Sequence, residues 1–311
     1  MKRLHIGLIV VMGVIILLII IGLIVACRKN QSTEKLYFLL EAGLVKLKTF
    51  PPILRAPTLG SKIPIYYINL KESTQRRIRF ESQIKEFDIQ NPVHRVEAIN
   101  GKKELTSIFH GDLGDFSFVN HTGKVSFAEA GCILSHLRSW IDFYRSGHDK
   151  ALIFEDDISF ALLPFWPRTL DEIIGSLPAK NTVLHLASTR VEKKPFRKLG
   201  SNDYSTLAYL ISRTTIHQVL LSLCENFDMV VKPHFSFYPT PSTHSHLKRQ
   251  FSADIGLYPR CKPLIYTGFP TFIPLNDASD FNSTIHSNHT RGHMETSLNA
   301  IHFYIDILKK R

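Results

Sequence analysis

The chain has 311 residues, of which 44% are hydrophobic and 21% charged, with a formal net charge of +11. This balance excludes a disordered or fibrous chain and allows one sizeable core with additions. The positive charge suits a nucleic acid, an anionic small molecule or acidic acceptor, or simply a solvated basic surface, and the chain's first element decides against the nucleic acid.

That element is Ile6 to Cys27, an apolar run without a charge, bounded by Lys2-Arg3 and Arg28-Lys29. At about 1.5 Å of rise per residue it is about 33 Å long, enough to cross a hydrocarbon core of about 30 Å. A cleaved signal has a shorter apolar region, of about 7 to 15 residues, so a retained signal anchor is expected after a short tail, residues 1–5. Ile24-Val-Ala-Cys27 also resembles a bacterial lipoprotein cleavage site, which keeps a bacterial membrane-anchored protein or lipoprotein open as the alternative. Basic residues lie on both sides of the span, so charge does not orient it. The N-x-S/T triplets at Asn30, Asn120, Asn282 and Asn288 favour a glycosylating lumen for the body. Asn30 lies too near the membrane, leaving Asn120, Asn282 and Asn288 as acceptors. The expected protein is single-pass type II, in the endoplasmic reticulum or Golgi, and meets no nucleic acid.

Residues 28–61 combine a short helical pattern, Leu36 to Leu47, with Pro51-Pro52 and Pro57, and read as a stem. Ile63 to Leu70 is β-rich, Ser73 to Phe87 helical, and Val93 to Ile99 a second strand. Phe127 to Arg145 is a strong helix, with Phe127, Ala130, Ile133, Leu134, Leu137 and Ile141 on one face. Strands follow at Ala151 to Phe154, Val183 to Leu186 and Ala208 to Ile211, with a helix from Thr214 to Cys224. Pro233 to Leu247 reads as a long loop, and Glu295 to Lys310 as a last amphipathic helix. Alternating strands and helices predict an α/β fold with a mostly parallel sheet flanked by helices. Cys132 falls on an apolar helix face, and Cys224 with Cys261 is the expected pairing if a disulfide forms.

The chemistry concentrates where the Ala151 strand ends in Glu155-Asp156-Asp157. Ligands of α/β sheets gather at the carboxyl ends of strands. Adjacent carboxylates raise one another's pKa unless a cation neutralises them, and hard oxygens suit Mg²⁺ or Mn²⁺. Such a metal keeps positions open for a diphosphate. The other reading is a solvated acidic turn capping the next helix. The cluster His286, His289 and His293 overlaps two glycosylation triplets and is not read as a metal site. Gly111 to Gly114 lacks the spacing of a phosphate-binding loop.

Tyr67-Ile-Asn-Leu70 with Arg76-Arg77, then Glu129-Ala-Gly-Cys-Ile-Leu-Ser-His136, then Leu152-Ile-Phe-Glu-Asp-Asp157 resemble family 25 glycosyltransferases in content, order and spacing. Leu207 to Ser212, Ala253-Asp254, Pro263 to Tyr266 and Ser279-Asp280 resemble the collagen galactosyltransferase branch. The resemblance covers residues 63 to 290 and implies a GT-A-type fold, with a catalytic domain over 62–290 and a C-terminal helix over 291–311. It further implies a UDP-sugar donor, usually UDP-galactose, Mn²⁺ dependence, inversion at the sugar carbon, and a glycan or protein hydroxyl as acceptor. On the same ground Glu155, Asp156 and Asp157 match the metal motif. Asn69, Arg76 and Arg77 match the donor loop, where an arginine fork suits phosphate or uracil oxygens, unless they form a solvated first turn. Ser135 and His136 line the donor pocket or anchor a buried helix. Asp254 is the candidate base that takes the acceptor proton. Residues 232–250 match nothing in the family. A catalytically inactive adhesion or sugar-binding protein on the same fold is the alternative.

Overall fold

A computed structural model of the chain describes residues 34–53, 59–60, 62–104, 108–111, 114–118, 127–177, 183–187, 196–198, 205–223, 234–237, 261, 264–267, 271–274 and 290–311. Among these no helix is long and apolar enough to cross a membrane. The predicted span, Asp254, Cys224 and the triplets at Asn120, Asn282 and Asn288 lie outside the described residues.

The domain begins as the sequence suggests. β1 (Ile65–Leu70) leads through α2 (Thr74–Glu86) to β2 (Val93–Ala98), which pairs parallel to β1. α3 (Gly101–Glu104), β3 (Ile108–Gly111) and β4 (Gly114–Phe118) precede α4 (Phe127–Ser146), which feeds β5 (Lys150–Glu155) on the other side of β1, again parallel. Then come β6 (Ile158–Ser159), α5 (Leu170–Gly175), β7 (Val183–His185), β8 (Phe196–Lys198), β9 (Ala208–Ser212), α6 (Arg213–Leu223), β10 (His234–Phe237), β11 (Leu264–Thr267) and β12 (Ile273–Pro274). Helical residues 34–48, labelled α1, and Thr290–Leu308, labelled α7, lie towards the two ends.

The central sheet has seven strands in the order β2-β1-β5-β9-β7-β11-β8. β9 runs antiparallel to both neighbours and β8 antiparallel to β11, so the other five share one direction. The sheet is thus mostly parallel, as the alternation predicts, with β9 and β8 as its reversed members. A parallel return needs a crossover of a dozen or more residues, usually a helix. Among the described residues between β7 and β9 the regular element is the edge strand β8, which runs in the same direction as β9. β10 corrects one expectation, since residues 234–237 pair parallel to β4 in a small second sheet within the segment read as loop. Phe and Ser alternate there at strand period, a signal the surrounding Pro and His obscure.

Strand residues alternate between two apolar layers. Ile65, Tyr67, Leu152, Phe154 and Leu210 pack with α1, α2, α5 and α7, whereas Tyr66, Ile68, Ile153, Tyr209 and Ile211 pack with α4 and α6. In the first layer Phe80 of α2 stacks on Tyr67 at 4.2 Å between ring centres. α1 joins that layer through Leu40 and Leu47, so this part of the predicted stem packs on the domain. α4 presents its predicted apolar face, except that Phe127, at its first turn, is 55% exposed. Close packing sets where α4 begins: a Cβ on Gly131 would lie 2.6 Å from both Gly101 N and Ile99 O, so only glycine fits.

Candidate active site

The carboxyl ends of β1 and β5 lie side by side, with Ile68 opposite Glu155 in register. The acidic turn after β5 therefore faces Asn69 and the start of α2. Asn69 is almost fully buried and has a fixed orientation: its Nδ2 donates to Asp156 Oδ2 at 2.6 Å and to Ser73 O at 3.1 Å, and its Oδ1 accepts from Arg95 Nε at 3.0 Å. Arg76, in the first turn of α2, donates from Nη1 to Asp156 Oδ1 at 3.2 Å and lies 3.7 Å from Asp157 Oδ2. Asp156 thus spends both oxygens on the scaffold.

Glu155 and Asp157 differ from it. Among the described residues, both hydrogen bonds to the Glu155 carboxylate fall on Oε1, one from the Thr206 hydroxyl and one shared with His136 Nε2 at 3.4 Å. The antiparallel entry of β9 supplies the first of these, because Leu207 O accepts from Glu155 N at 2.9 Å and seats Thr206 beside the carboxylate. The second ends a buried chain. Trp140 Nε1 donates to Tyr209 Oη at 2.7 Å, and that hydroxyl meets His136 Nδ1 at 2.9 Å. An indole can only donate, so in neutral His136 the tyrosine proton goes to Nδ1 and the Nε2 proton points at Glu155. Protonation of the ring keeps that proton in place and adds charge. Asp157 Oδ1 is buried with no hydrogen-bond partner among the described residues.

The electrostatics follow from this geometry. Burial pushes Asp157 up, Glu155 and Asp156 add to the rise, Arg76 opposes it, and the carboxyl reaches about 7. Burial also raises Asp156, against the pull of Arg76 and Asn69. Burial works the same way on Glu155, but the hydrogen bond and charge of His136 and the Thr206 hydroxyl outweigh it and hold this carboxyl below its usual value. Glu155 is thus favoured in its charged form while Asp156 and Asp157 resist charging, and a cation beside the turn would offset that resistance. The residues fit a divalent metal on that ground: among the described residues a buried carboxylate oxygen lacks a hydrogen-bond partner, a second carboxylate keeps Oε2 outside its hydrogen bonds, and both are hard donors.

Beside the turn lies a cavity of about 460 Å³ between the ends of β1 and β2 and the start of α4, lined by Arg76, Asn100, Lys103, Cys132, His136 and Asp156 among others. Glu72 closes one side, accepting from Lys103 Nζ at 3.0 Å and from Asn100, and these bonds hold its carboxyl at about 2. Of the residues singled out in the sequence, Asn69, Arg76, His136 and the acidic triplet come together here. Ser135 borders the cavity, but its hydroxyl donates to Gly131 O at 2.6 Å and accepts from Ile99 N at 2.8 Å, which ties α4 to β2. Arg77 lies on another side of α2, where its charge acts on Tyr67.

Arg95, Thr206, Tyr209 and Cys132 were not singled out as site residues. Alternation along β2 could have found Arg95, whereas Thr206 depends on the reversal of β9. Cys132 is half-buried, and its sulfur, an imidazole nitrogen of His136 and a Glu155 oxygen lie within 4.8 Å of one another. Cys261 is buried.

A mostly parallel α/β sheet carries an acidic turn at a strand's carboxyl end, and beside it lies a cavity lined by charges of both signs. Residues 62–163 match the sequence model of glycosyltransferase family 25 (LPS biosynthesis protein). The chain is 23% identical over 272 residues to a glycosyltransferase 25 family member of Aedes aegypti, covering 79% of this chain and 43% of the relative. It is 27% identical over 200 residues to procollagen galactosyltransferase 1-A of Xenopus laevis, 59% of this chain and 32% of the relative. Inactive glycosyltransferase 25 family member 3 of Mus musculus is 26% identical over 220 residues, 62% and 36% of the two chains. The chain spans less than half the length of these curated relatives.

Proposed function

We propose that this protein is an inverting, metal-dependent hexosyltransferase that moves galactose from UDP-galactose to a hydroxyl of a glycan or protein, on a GT-A-type fold. The carrying observation is the orphaned Asp157 Oδ1 beside Glu155 at the end of β5. Glu155 and Asp157 would hold Mn²⁺, which when bound offsets the negative charge developing on the departing diphosphate. Asp156 keeps Asn69 and Arg76 in place. Arg76, Lys102 and Lys103 bring positive charge to the cavity that would take the donor's phosphates. His136 fixes the Glu155 carboxylate through its Nε2 proton. Asp254 is the proposed base for the acceptor hydroxyl, which attacks the sugar carbon as the bond to the diphosphate breaks.

The apolar run Ile6–Cys27 and the triplets at Asn120, Asn282 and Asn288 support a type II protein of the endoplasmic reticulum or Golgi with this domain in the lumen. The test is UDP release from UDP-galactose by the full chain, with UDP-glucose alongside, with and without Mn²⁺. Metal-dependent release with the galactose donor is the expected result. A second reading, a sugar-binding protein without turnover, draws support from the relatives named inactive. It predicts metal-dependent donor binding with no UDP release in the presence of collagen peptides or glycans.

A further inference from the structure

Helix α1 turns Leu40, Gly43 and Leu47 inward. On its outward side Phe38 is 70% exposed, Val45 67% and Leu39 40%. These are three of the six large hydrophobic side chains exposed among the described residues, so one helix carries half of them. Phe38, exposed Ala42 and Val45 follow the i, i+4, i+7 rule of a single face. Scattered apolar residues on a surface need no explanation, but a stripe on one helix does.

The place of the stripe in the chain identifies what covers it. The apolar run ends at Cys27 and α1 begins at residue 34. Seven peptide steps of at most about 3.6 Å hold the start of the helix within about 25 Å of the span's end. The helix itself is about 22 Å long, so its first turns lie within reach of the membrane surface and a tilt along that surface would keep the rest there. Exposed Lys35 and Lys46 flank the stripe on one side, and Glu34, Glu41 and Lys48 on the other, three positive charges against two negative. The flanks nearly cancel, which suits a zwitterionic headgroup layer rather than an anionic patch or an oppositely charged protein.

We infer that α1 is an interfacial helix whose Phe38, Ala42 and Val45 stripe seats in the headgroup–acyl boundary of the bilayer crossed by residues 6–27. The inference rests on the anchor reading. Helices of this kind bury an apolar face about 5–10 Å into that boundary. The seat does more than tether. Gly43 of α1 packs against Ile301 of α7, at whose first turns His293 acts electrostatically on Glu155. The lipid-facing helix is thereby built into the layer that carries the acidic turn, and it fixes which way the donor cavity faces relative to the membrane.

Native Trp140 and Trp166 are fully buried, so an added surface tryptophan reports separately. Full-length Phe38→Trp, Val45→Trp and, on α6, Leu221→Trp are reconstituted in phosphatidylcholine vesicles with and without lipid brominated near the headgroup. The expected result is loss of about half or more of the added emission at positions 38 and 45, with position 221 unchanged. Unquenched emission at 38 and 45 in protein that floats with the vesicles overturns the inference and leaves the anchor standing. Emission there that instead changes with protein density on the vesicle identifies a second copy as the occupant, and also overturns it. Protein that does not float overturns the anchor reading and the inference with it.

Discussion

The two ends of the central sheet make an instructive pair. At the amino end of β5 lies the larger cavity, about 820 Å³, lined by Tyr144, Asp149, Lys150, Arg213 and His217 among others. Three of its side chains pack on one another. The Arg213 guanidinium sits 4.7 Å over the Tyr144 ring, His217 stacks on that ring, and Tyr144 Oη meets His217 Nδ1 at 3.0 Å. The carboxyl end has the smaller cavity, and there a buried carboxylate oxygen has no hydrogen-bond partner among the described residues. It is the buried carboxylate, and not the cavity volume, that distinguishes the proposed site.

The comparison breaks most decisively at Asp157. Asp157→Asn is expected to lower Mn²⁺-dependent UDP release by on the order of 10²–10³-fold, with the thermal midpoint in metal-free buffer unchanged or higher, because a repelled charge is gone. An active variant would remove the metal from this turn. Asn69→Ala strips partners from Asp156 and Arg95. It should cost about 1–3 kcal/mol in urea unfolding and about 10–100-fold in activity.

The pH dependence has a defined sign. The Asp157 carboxyl is raised from its ordinary value to about 7, so its contribution to stability is present at low pH and is lost as pH rises through 7. A cation that needs the ionised form should bind about tenfold more weakly per pH unit below 7 and raise the melting temperature more at pH 8 than at pH 6. Calorimetry with and without Mn²⁺ at the two values checks this. Thr206→Val, which removes a hydroxyl from Glu155 and keeps the shape, should weaken metal affinity about tenfold, read as the Mn²⁺ concentration for half-maximal activity. At the other end of the sheet, Arg213→Ala should leave activity within about twofold and cost about 1 kcal/mol of stability. A large loss of activity there would contradict the division between the ends.

Much of this architecture was legible in the chain. β1, α2, β2, α4 and β5 fall within two residues of their expected bounds, because strong periodicity and clear breakers surround them. The acidic triplet was readable for the same reason: a charged run directly after an apolar strand marks a strand end. The reversal of β9 was not, since direction depends on where a connection travels, and alternation looks the same either way. Thr206 was hidden with it. Asn69 carried a family signal, but its partners Arg95 and Asp156 lie 26 and 87 residues away, a pairing set by the register of three strands. α7 begins five residues before its expected start, where Thr290-Arg-Gly-His293 offers no apolar stripe to announce a helix.

The contact between α1 and α7 also has a consequence in time. Gly43 and Ile301 meet in the first apolar layer, yet a ribosome makes one long before the other. Until residue 301 and its neighbours emerge, the inward leucines of α1 lack the helix that covers them. Their layer completes only late in synthesis, and contacts so distant in sequence make closure slow. A nascent chain stalled before α7 should stay protease-sensitive around residues 34–48, even when β1 to β5 have formed.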